Sequence, residues 1–237
     1  SMSGITPLNL AVITTPNAVD ISEALLEPQG VIPPLPLLSR HAGGTGFFNT
    51  TPDHDGVLRA TPLLIHHQDK IYPNLSLASL LAALGHPQVA VKVNRNGVES
   101  MRIGPLTVPL DEKGRFYVHY RGVGNQFETI PAHLFLEKQM APGSLAGKIA
   151  IVGTSAAGLK YLKVTPLDPE LMGAQVHATV IDNILKKDFI TWPEWFRGAE
   201  IFMVLFFGFF TTMAIVYARP WMTLGFSLVT SVVLWQG

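Results

Sequence analysis

Hydrophobic and polar residues form short blocks along residues 5–190, and the blocks predict strands and helices in alternation. Alternating or β-branched apolar runs bounded by turn formers predict strands at 9–14, 57–65, 89–93, 115–120 and 148–153, with a hairpin turn at 94–97. Apolar residues at helical spacing predict helices at 19–26, 73–84, 130–138 and 173–186. The last helix should turn a stripe toward the core that consists of Val176, Val180, Ile181, Ile184 and Leu185. This mixture favours an α/β fold, in which a mixed sheet is flanked by helices.

The pattern becomes uniformly apolar after residue 200. Residues 201–218 carry no charge, and as a helix they would span roughly 27 Å, close to the thickness of a bilayer core. Aromatic and basic residues flank this segment on both sides, as they do at a membrane interface. We therefore predict a junction at 191–200, a first transmembrane helix at 201–218 and a second, truncated transmembrane helix at 221–237. A buried core helix is the alternative, but such helices usually carry a polar stripe.

Composition narrows the classes of function. The chain of 237 residues has 17 basic and 17 acidic side chains, so its net charge is zero and no electrostatic attraction to nucleic acid is expected. It contains no cysteine, which excludes disulfides, thiolate metal sites and cysteine nucleophiles. We expect no cofactor, and nucleic acid is not an expected partner.

The segment from Asn49 to Arg59 contains the densest group of polar candidates. Its Pro-Asp-His-Asp-Gly sequence predicts a tight turn, because proline fixes φ, aspartate side chains accept from nearby amides and glycine takes the left-handed conformation. Asp53 and Asp55 are spaced like the first ligands of a calcium loop, but the third ligand and the closing glutamate are missing. We therefore predict an ordered turn without a metal, in which Arg59 reaches back to an aspartate.

A second group of candidates follows the last predicted strand. Gly153, Thr154 and Ser155 begin a glycine-bounded loop, and such a loop at the carboxyl edge of a sheet is a common place for small ligands. The loop lacks the lysine of a phosphate-binding loop, the glycines of a dinucleotide fingerprint and the spacing of a nucleophile elbow. His177 lies in the last predicted helix, where a single histidine is usually a hydrogen-bonded structural residue. A membrane-anchored hydrolase that uses Ser155 and His177 is the enzymatic alternative.

Several motifs between residues 46 and 185 support a resemblance that runs from about residue 8 to 237. They are Pro52-Asp53-x-Asp55-Gly56 within Gly46–Leu63, Asp111…Gly114…Tyr120-x-Gly122, Val152-Gly153-Thr154-Ser155 within Leu145–Gly158, Thr165-Pro166-Leu167, and Val176-His177-Ala178 with Asp182-Asn183 within Gly173–Leu185. Together they resemble the CHASE domain of the second type. This is the extracellular sensory domain associated with bacterial nucleotide cyclases, histidine kinases and serine/threonine kinases.

The resemblance implies a sensor domain at 5–190 outside the cytoplasmic membrane, preceded by one span, followed typically by three more and completed by a cytoplasmic catalytic domain. A class III adenylate or guanylate cyclase is the expected output, and a histidine or serine/threonine kinase is the alternative. Two departures stand out: Tyr161 replaces an aspartate usually found after the glycine-bounded loop, and the first strand and helix of the family precede this chain. The domain is therefore expected to be N-terminally incomplete, with an exposed sheet edge at 9–14.

These observations lead us to expect a receptor fragment that is not itself an enzyme, in the inner membrane of a bacterium with its soluble part on the periplasmic side. The expected partners are the lipid bilayer, an unknown small-molecule or periplasmic ligand, and a second copy in a homodimer. Candidate ligand-binding residues are Asn49, Asp53, Asp55, Arg59, Gly153, Thr154, Ser155 and His177. A module that only dimerises the receptor is a further alternative.

Charge alone favours the opposite orientation. Lys186, Lys187 and Arg197 precede the first predicted span and only Arg219 follows it, so a literal positive-inside count places the domain in the cytoplasm. The rule weakens for long translocated domains, and the resemblance therefore decides the expectation.

Overall fold

The computed structural model describes residues 5–124, 126–154, 162–191 and 195–217, together with the single residues Gly225, Leu228, Ser231 and Trp235. Contacts along the chain separate it into two compact units, Ser1–Ile190 and Thr191–Gly237. The first unit contains a mixed sheet with helices, so the predicted α/β class is confirmed.

The first unit contains ten strands and five helices within the described residues. The strands are β1 Leu10–Thr14, β2 Ala60–Pro62, β3 Leu64–His67, β4 Lys70–Pro73, β5 Val89–Asn94, β6 Gly97–Ile103, β7 Leu106–Pro109, β8 Arg115–Tyr117, β9 Leu162–Lys163 and β10 Leu171–Met172. The helices are α1 Ile21–Ala24, α2 Pro36–His41, α3 Leu75–Ala83, α4 Ala132–Leu136 and α5 Gly173–Lys186.

The largest sheet has the strand order β1-β5-β6-β7. Strand β1 runs parallel to β5, whereas β5, β6 and β7 are antiparallel, and the predicted hairpin turn joins β5 to β6. Three further pairs, β2 with β8, β3 with β4 and β9 with β10, are antiparallel. Strand β1 lies at the edge of the sheet, where Val12 is 41% and Ile13 48% exposed, so the exposed edge expected at 9–14 is confirmed.

Helices α3 and α5 contact each other and bury their apolar faces in the core. Asn74 caps α3 by accepting from the Leu77 amide at 2.8 Å. Helix α5 occupies the predicted range and buries Val176, Val180, Ile181 and Ile184 as expected. The prediction for Leu185 is wrong, since it is 46% exposed: it lies about 40° beyond Ile181 around the helix and therefore falls at the margin of the buried stripe.

Two of the predicted strands differ from the structure. Residues 57–65 form two short strands, because the backbone of Leu63 bonds to Gly114 and Asn74 and interrupts the ladder. Residues 148–153 form no strand, and Val152 is 95% exposed. Ile151 packs against the core cluster and, with Ala150, borders a pocket beside α3 and α5. Of the residues in this run, Ile151 alone packs against the core, and Ile149 and Val152 stay exposed.

The second unit contains α6, Trp195–Tyr217. Apolar side chains along it are exposed, among them Ile201, Leu205 and Phe209. In the part of the chain that the structure describes, no helix has both the length and the hydropathy that a membrane span requires. The transmembrane helices at 201–218 and 221–237 therefore stay predictions, and most of the second one lies outside the described residues.

Candidate functional site

The structure contains the predicted turn at residues 52–59, and ion pairs hold its two ends together. Gly56 has φ +80°, its amide donates to the Asp53 carbonyl at 2.9 Å, and the Val57 amide donates to Asp55 Oδ1 at 3.0 Å. The Arg59 guanidinium donates to Asp53 Oδ2 at 3.1 Å and to Asp55 Oδ2 at 2.8 Å. The prediction that Arg59 reaches back to an aspartate is confirmed.

A second turn of the same design lies beside the first. In both turns the aspartate amide donates to the carbonyl four residues later, and a glycine amide three residues later donates back to the aspartate carbonyl (Asp53 with Gly56, Asp111 with Gly114). Arg115 follows the second turn, bonds Asp111 Oδ2 at 2.7 Å and lies 3.7 Å from Asp53 Oδ1. The sequence reasoning missed Arg115 as a partner, although the repeated Asp-x-x-Gly spacing was a visible signal.

The carboxylates of the paired turns are already occupied by arginine. Hydrogen bonds from the Arg59 side chain, and then from the Val57 amide, lower the pKa of Asp55 to about 2. Among the described residues, no group of three or more histidine, aspartate or glutamate side chains is arranged to hold a metal ion. The paired turns therefore have the character of a structural contact between two loops and not that of an open binding site.

His177 is buried at the contact between α3 and α5. Its Nδ1 lies 2.7 Å from the hydroxyl oxygen of Ser76, which is on α3. Burial lowers the pKa of His177, and the charge of Lys163 lowers it further, so the ring is neutral at neutral pH. A neutral imidazole with one nitrogen engaged has its other nitrogen available for a ligand.

A pocket of about 180 Å³ adjoins His177. Leu75 and Ser79 of α3 and His177 and Ile181 of α5 line it from the helices, and residues 150–152 complete the wall. The walls are mostly apolar, and the lining side chains carry no charge at neutral pH. Such a pocket suits a small molecule with an apolar body and a single polar group.

The glycine-bounded loop does not follow a strand, because residues 148–153 form none, and this corrects the prediction. A Cβ on Gly153 would lie 2.6 Å from the Cβ of Ala174, so the segment runs tightly against the first turn of α5. Thr154 is exposed, and Ser155 lies outside the described residues. The hydrogen-bond partner of His177 in the structure is Ser76, so the pairing of Ser155 with His177 stays a prediction without support.

The eight candidate residues thus fall into separate groups. Asp53, Asp55 and Arg59 form one cluster, whereas Gly153 and His177 both lie along α5 near the pocket. Within the described residues, no hydrogen bond or ion pair joins the two groups. Asn49 is exposed, and its side chain makes no hydrogen bond to the described part of the chain.

A third polar cluster, which the sequence reasoning missed, stands at the carboxyl end of α5. Asn183 is fully buried and bonds both the amide and the carbonyl of His119, at 2.9 and 3.2 Å. Asp188 accepts from His119 Nδ1 at 2.9 Å and from Arg121 at 2.7 Å. Hydrogen bonding to His119 is the main reason why the pKa of Asp188 is lowered. These bonds fix the end of α5 to the segment that follows β8.

The fold and its sites can now be set beside known proteins. The family model described as the CHASE2 domain matches residues 8–210. The chain belongs to the CHASE2 domain family. CHASE2 domains are sensory domains of signalling proteins and are typically extracellular in membrane receptors. No curated protein and no solved structure matches the chain. The resemblance inferred from the ordered motifs is thereby confirmed, and the CHASE2 match continues from the first unit into α6.

Proposed function

We propose that this CHASE2 chain is the extracytoplasmic sensor of a bacterial transmembrane receptor that regulates a cytoplasmic nucleotide cyclase. The observation that carries the proposal is the extent of the family match, which covers the α/β unit and most of α6. A sensory domain followed by a helix that carries no charge after Glu200 has the order of parts that a membrane receptor needs. A histidine or serine/threonine kinase is the alternative output.

The membrane tether is supported by the chemistry of α6. Residues 201–217 carry no charge, and phenylalanine, leucine and isoleucine side chains are exposed along the helix. Exposed apolar surface of this extent is rarely left in contact with water. A lipid bilayer is the partner that suits it, because the bilayer core favours apolar side chains.

Transmission of a signal is supported by the way α5 ends. The Asn183 and Asp188 contacts hold its last turns to His119 and Arg121, and α5 ends at Lys186, shortly before α6 begins at Trp195. Rigid elements joined by a short connection can pass a small displacement to a following helix. We therefore assign α5 and residues 191–200 the role of transmitting the signal.

An insertion at Thr191 tests this coupling in the full-length parent protein. Gly153→Ala should perturb the first unit and change production of the cyclic nucleotide in the parent. A flexible Gly/Ser stretch at Thr191 should abolish that change, whereas the same stretch between Gly43 and Gly44, which are exposed, should preserve it. If output does not respond to Gly153→Ala, or still responds after the Thr191 insertion, the proposed coupling is wrong.

We also propose that two copies pair through β1. The Thr15 amide donates to Val93 on β5 at 3.1 Å, so the alternate residues Leu10, Val12 and Thr14 direct their backbone groups away from β5. The strand has the sequence Leu-Ala-Val-Ile-Thr and carries no charge, so two copies do not repel each other. Antiparallel pairing about Val12 would place Leu10 of one copy opposite Thr14 of the other.

Proline at position 12 tests this dimer. Val12→Pro removes an outward amide and leaves the bonds to β5 in place, so the fold should persist and the dimer should be lost. Val12→Thr keeps the amide and should remain dimeric. Light scattering of the purified chain distinguishes the two states. A monomeric native chain, or a dimeric Val12→Pro variant, would contradict pairing through β1.

A further inference from the structure

The pocket between α3 and α5 offers two hydrogen-bonding groups that the fold itself does not use. Ser76 engages Nδ1 of His177, and within the described residues Nε2 has no partner and is not shut off from solvent. Ser79 lines the same pocket, and its hydroxyl has no hydrogen bond to a described residue. Ser76 and Ser79 are three residues apart and therefore share one face of α3.

The position of Ser76 gives it a supporting role. Its contact with Nδ1 fixes the orientation of the imidazole, and with it the direction in which Nε2 points. A buried polar side chain held in this way is preorganised, because it loses no rotamer freedom when a ligand binds. Ser76 is thus a positioning residue, and the two groups left for a ligand are His177 and Ser79.

The size and charge of the pocket limit what it can hold. Its volume of about 180 Å³ is comparable with cavities of roughly 150 Å³ that bind one benzene molecule. No lining side chain carries a charge at neutral pH, so an ionised ligand would lose hydration without gaining a counter-charge from the lining. Leu75, Ile151 and Ile181 supply apolar walls for the rest of the ligand.

One wall of the pocket is suited to admit a ligand. Residues 150–152 form no strand, so no ladder of hydrogen bonds holds them in place. They are instead held by the close approach of Gly153 to Ala174 at the first turn of α5. A ligand between this segment and the helices would contact α5 directly through His177 and Ile181.

We propose that this pocket binds an uncharged, compact molecule of about seven non-hydrogen atoms, a cyclic or branched alcohol, ketone or lactone whose oxygen bonds His177 Nε2 and Ser79 Oγ. Binding as such depends only on the pocket. The further step, that this molecule is the sensed signal and acts through α5, rests on the proposed sensor function.

Cyclohexanone is a suitable probe, with the cyclohexylammonium ion as a charged, water-soluble control of equal size. The full chain, labelled with ¹⁵N-histidine in lipid nanodiscs, is titrated with each compound, and the His177 resonances are assigned by their loss in His177→Ala. Cyclohexanone should shift these resonances saturably with a Kd of about 1 mM, as expected for so small a ligand. The cyclohexylammonium ion should bind at least about fivefold more weakly, because its charge would lose hydration without gaining a counter-charge from the lining.

Variants on α3 connect the shift to the pocket. Ser79→Leu fills the pocket and should abolish the saturable shift, whereas Ala82→Leu adds the same bulk at an exposed position of the same helix and should preserve it. Ser79→Ala keeps the space and should weaken binding about fivefold, which gives a second reading if Ser79→Leu does not fold.

An unsaturable shift in the native chain, an unchanged shift in Ser79→Leu, or equal affinity for the two compounds would overturn the proposal. The output domain takes no part in this measurement. A failure here therefore leaves the insertion test at Thr191 valid, and the two results can be told apart.

Discussion

At the scale of single residues, the ion pairs around Arg59 set the protonation of the first turn. Arg59 and the Val57 amide hold the pKa of Asp55 at about 2, below its ordinary value near 3.8. Because the folded state has the lower pKa, the contribution of Asp55 to stability is present above about pH 4 and is lost as the pH falls toward 2. The first turn should therefore loosen in acid and not at neutral pH.

Removing the arginine should move this titration. In Arg59→Ala the Asp55 pKa should rise from about 2 toward its ordinary value near 3.8, and stop short of it because the Val57 amide still donates. A carbon-13 titration of the carboxylates measures the change. Arg95→Ala, at an exposed position in the β5–β6 turn, should leave the titration of Asp55 unchanged. An Asp55 pKa that stays near 2 in Arg59→Ala would contradict the assigned cause.

At the scale of elements, the packing of residues 150–153 on α5 depends on the absence of a side chain at Gly153. Gly153→Ala would place a Cβ 2.6 Å from that of Ala174, and relief of this overlap should cost about 1–3 kcal/mol of unfolding free energy. Gly30→Ala, which has no atom within 4 Å of the added Cβ, should change it by less than about 0.5 kcal/mol.

A double variant separates this overlap from other effects. Ala174→Gly removes the opposing Cβ, so Gly153→Ala should cost less in that background than in the native chain, which urea unfolding followed by circular dichroism can measure. Equal costs in the two backgrounds would show that the contact with Ala174 does not limit position 153.

Only some elements of the fold could be predicted from the sequence. Helices α3 and α5 and the β5–β6 hairpin follow from strong local periodicity, caps and turn residues, and the Asp53–Arg59 turn follows from local spacing. The apolar run at 148–153 forms no strand and contributes only Ile151 to the core, which a local pattern cannot distinguish from a buried strand. Short pairs such as β9 with β10 carry too few residues to give a pattern.

The contacts within the sites could be predicted from the sequence only where the two residues are close along the chain. The bond between Ser76 and His177 joins positions 101 apart, and that between Asn183 and His119 joins positions 64 apart. No local motif encodes such pairs, because the tertiary packing of α3, α5 and β8 brings them together. His177 was therefore identified as a candidate, but its partner and the pocket beside it were not.

At the scale of the whole molecule, the proposed receptor depends on where α6 and the first unit lie relative to a membrane. The absence of cysteine from the chain makes this directly measurable, because each introduced thiol is the only one in the sequence. Asn96→Cys places a thiol in the exposed β5–β6 turn, and Phe206→Cys places one on α6. The positive-inside count and the family resemblance disagree on orientation, so the outcome also decides between them.

The decisive measurement is labelling of these two variants with a maleimide that cannot cross the membrane, in intact bacterial cells that make the full-length parent protein with every cysteine outside this chain replaced by serine. A sensor outside the membrane predicts rapid labelling of Asn96→Cys and protection of Phe206→Cys, since a thiol within lipid is neither reached nor ionised. Labelling of Asn96→Cys only after the cells are opened, or labelling of Phe206→Cys as fast as Asn96→Cys, would contradict the tethered extracytoplasmic sensor.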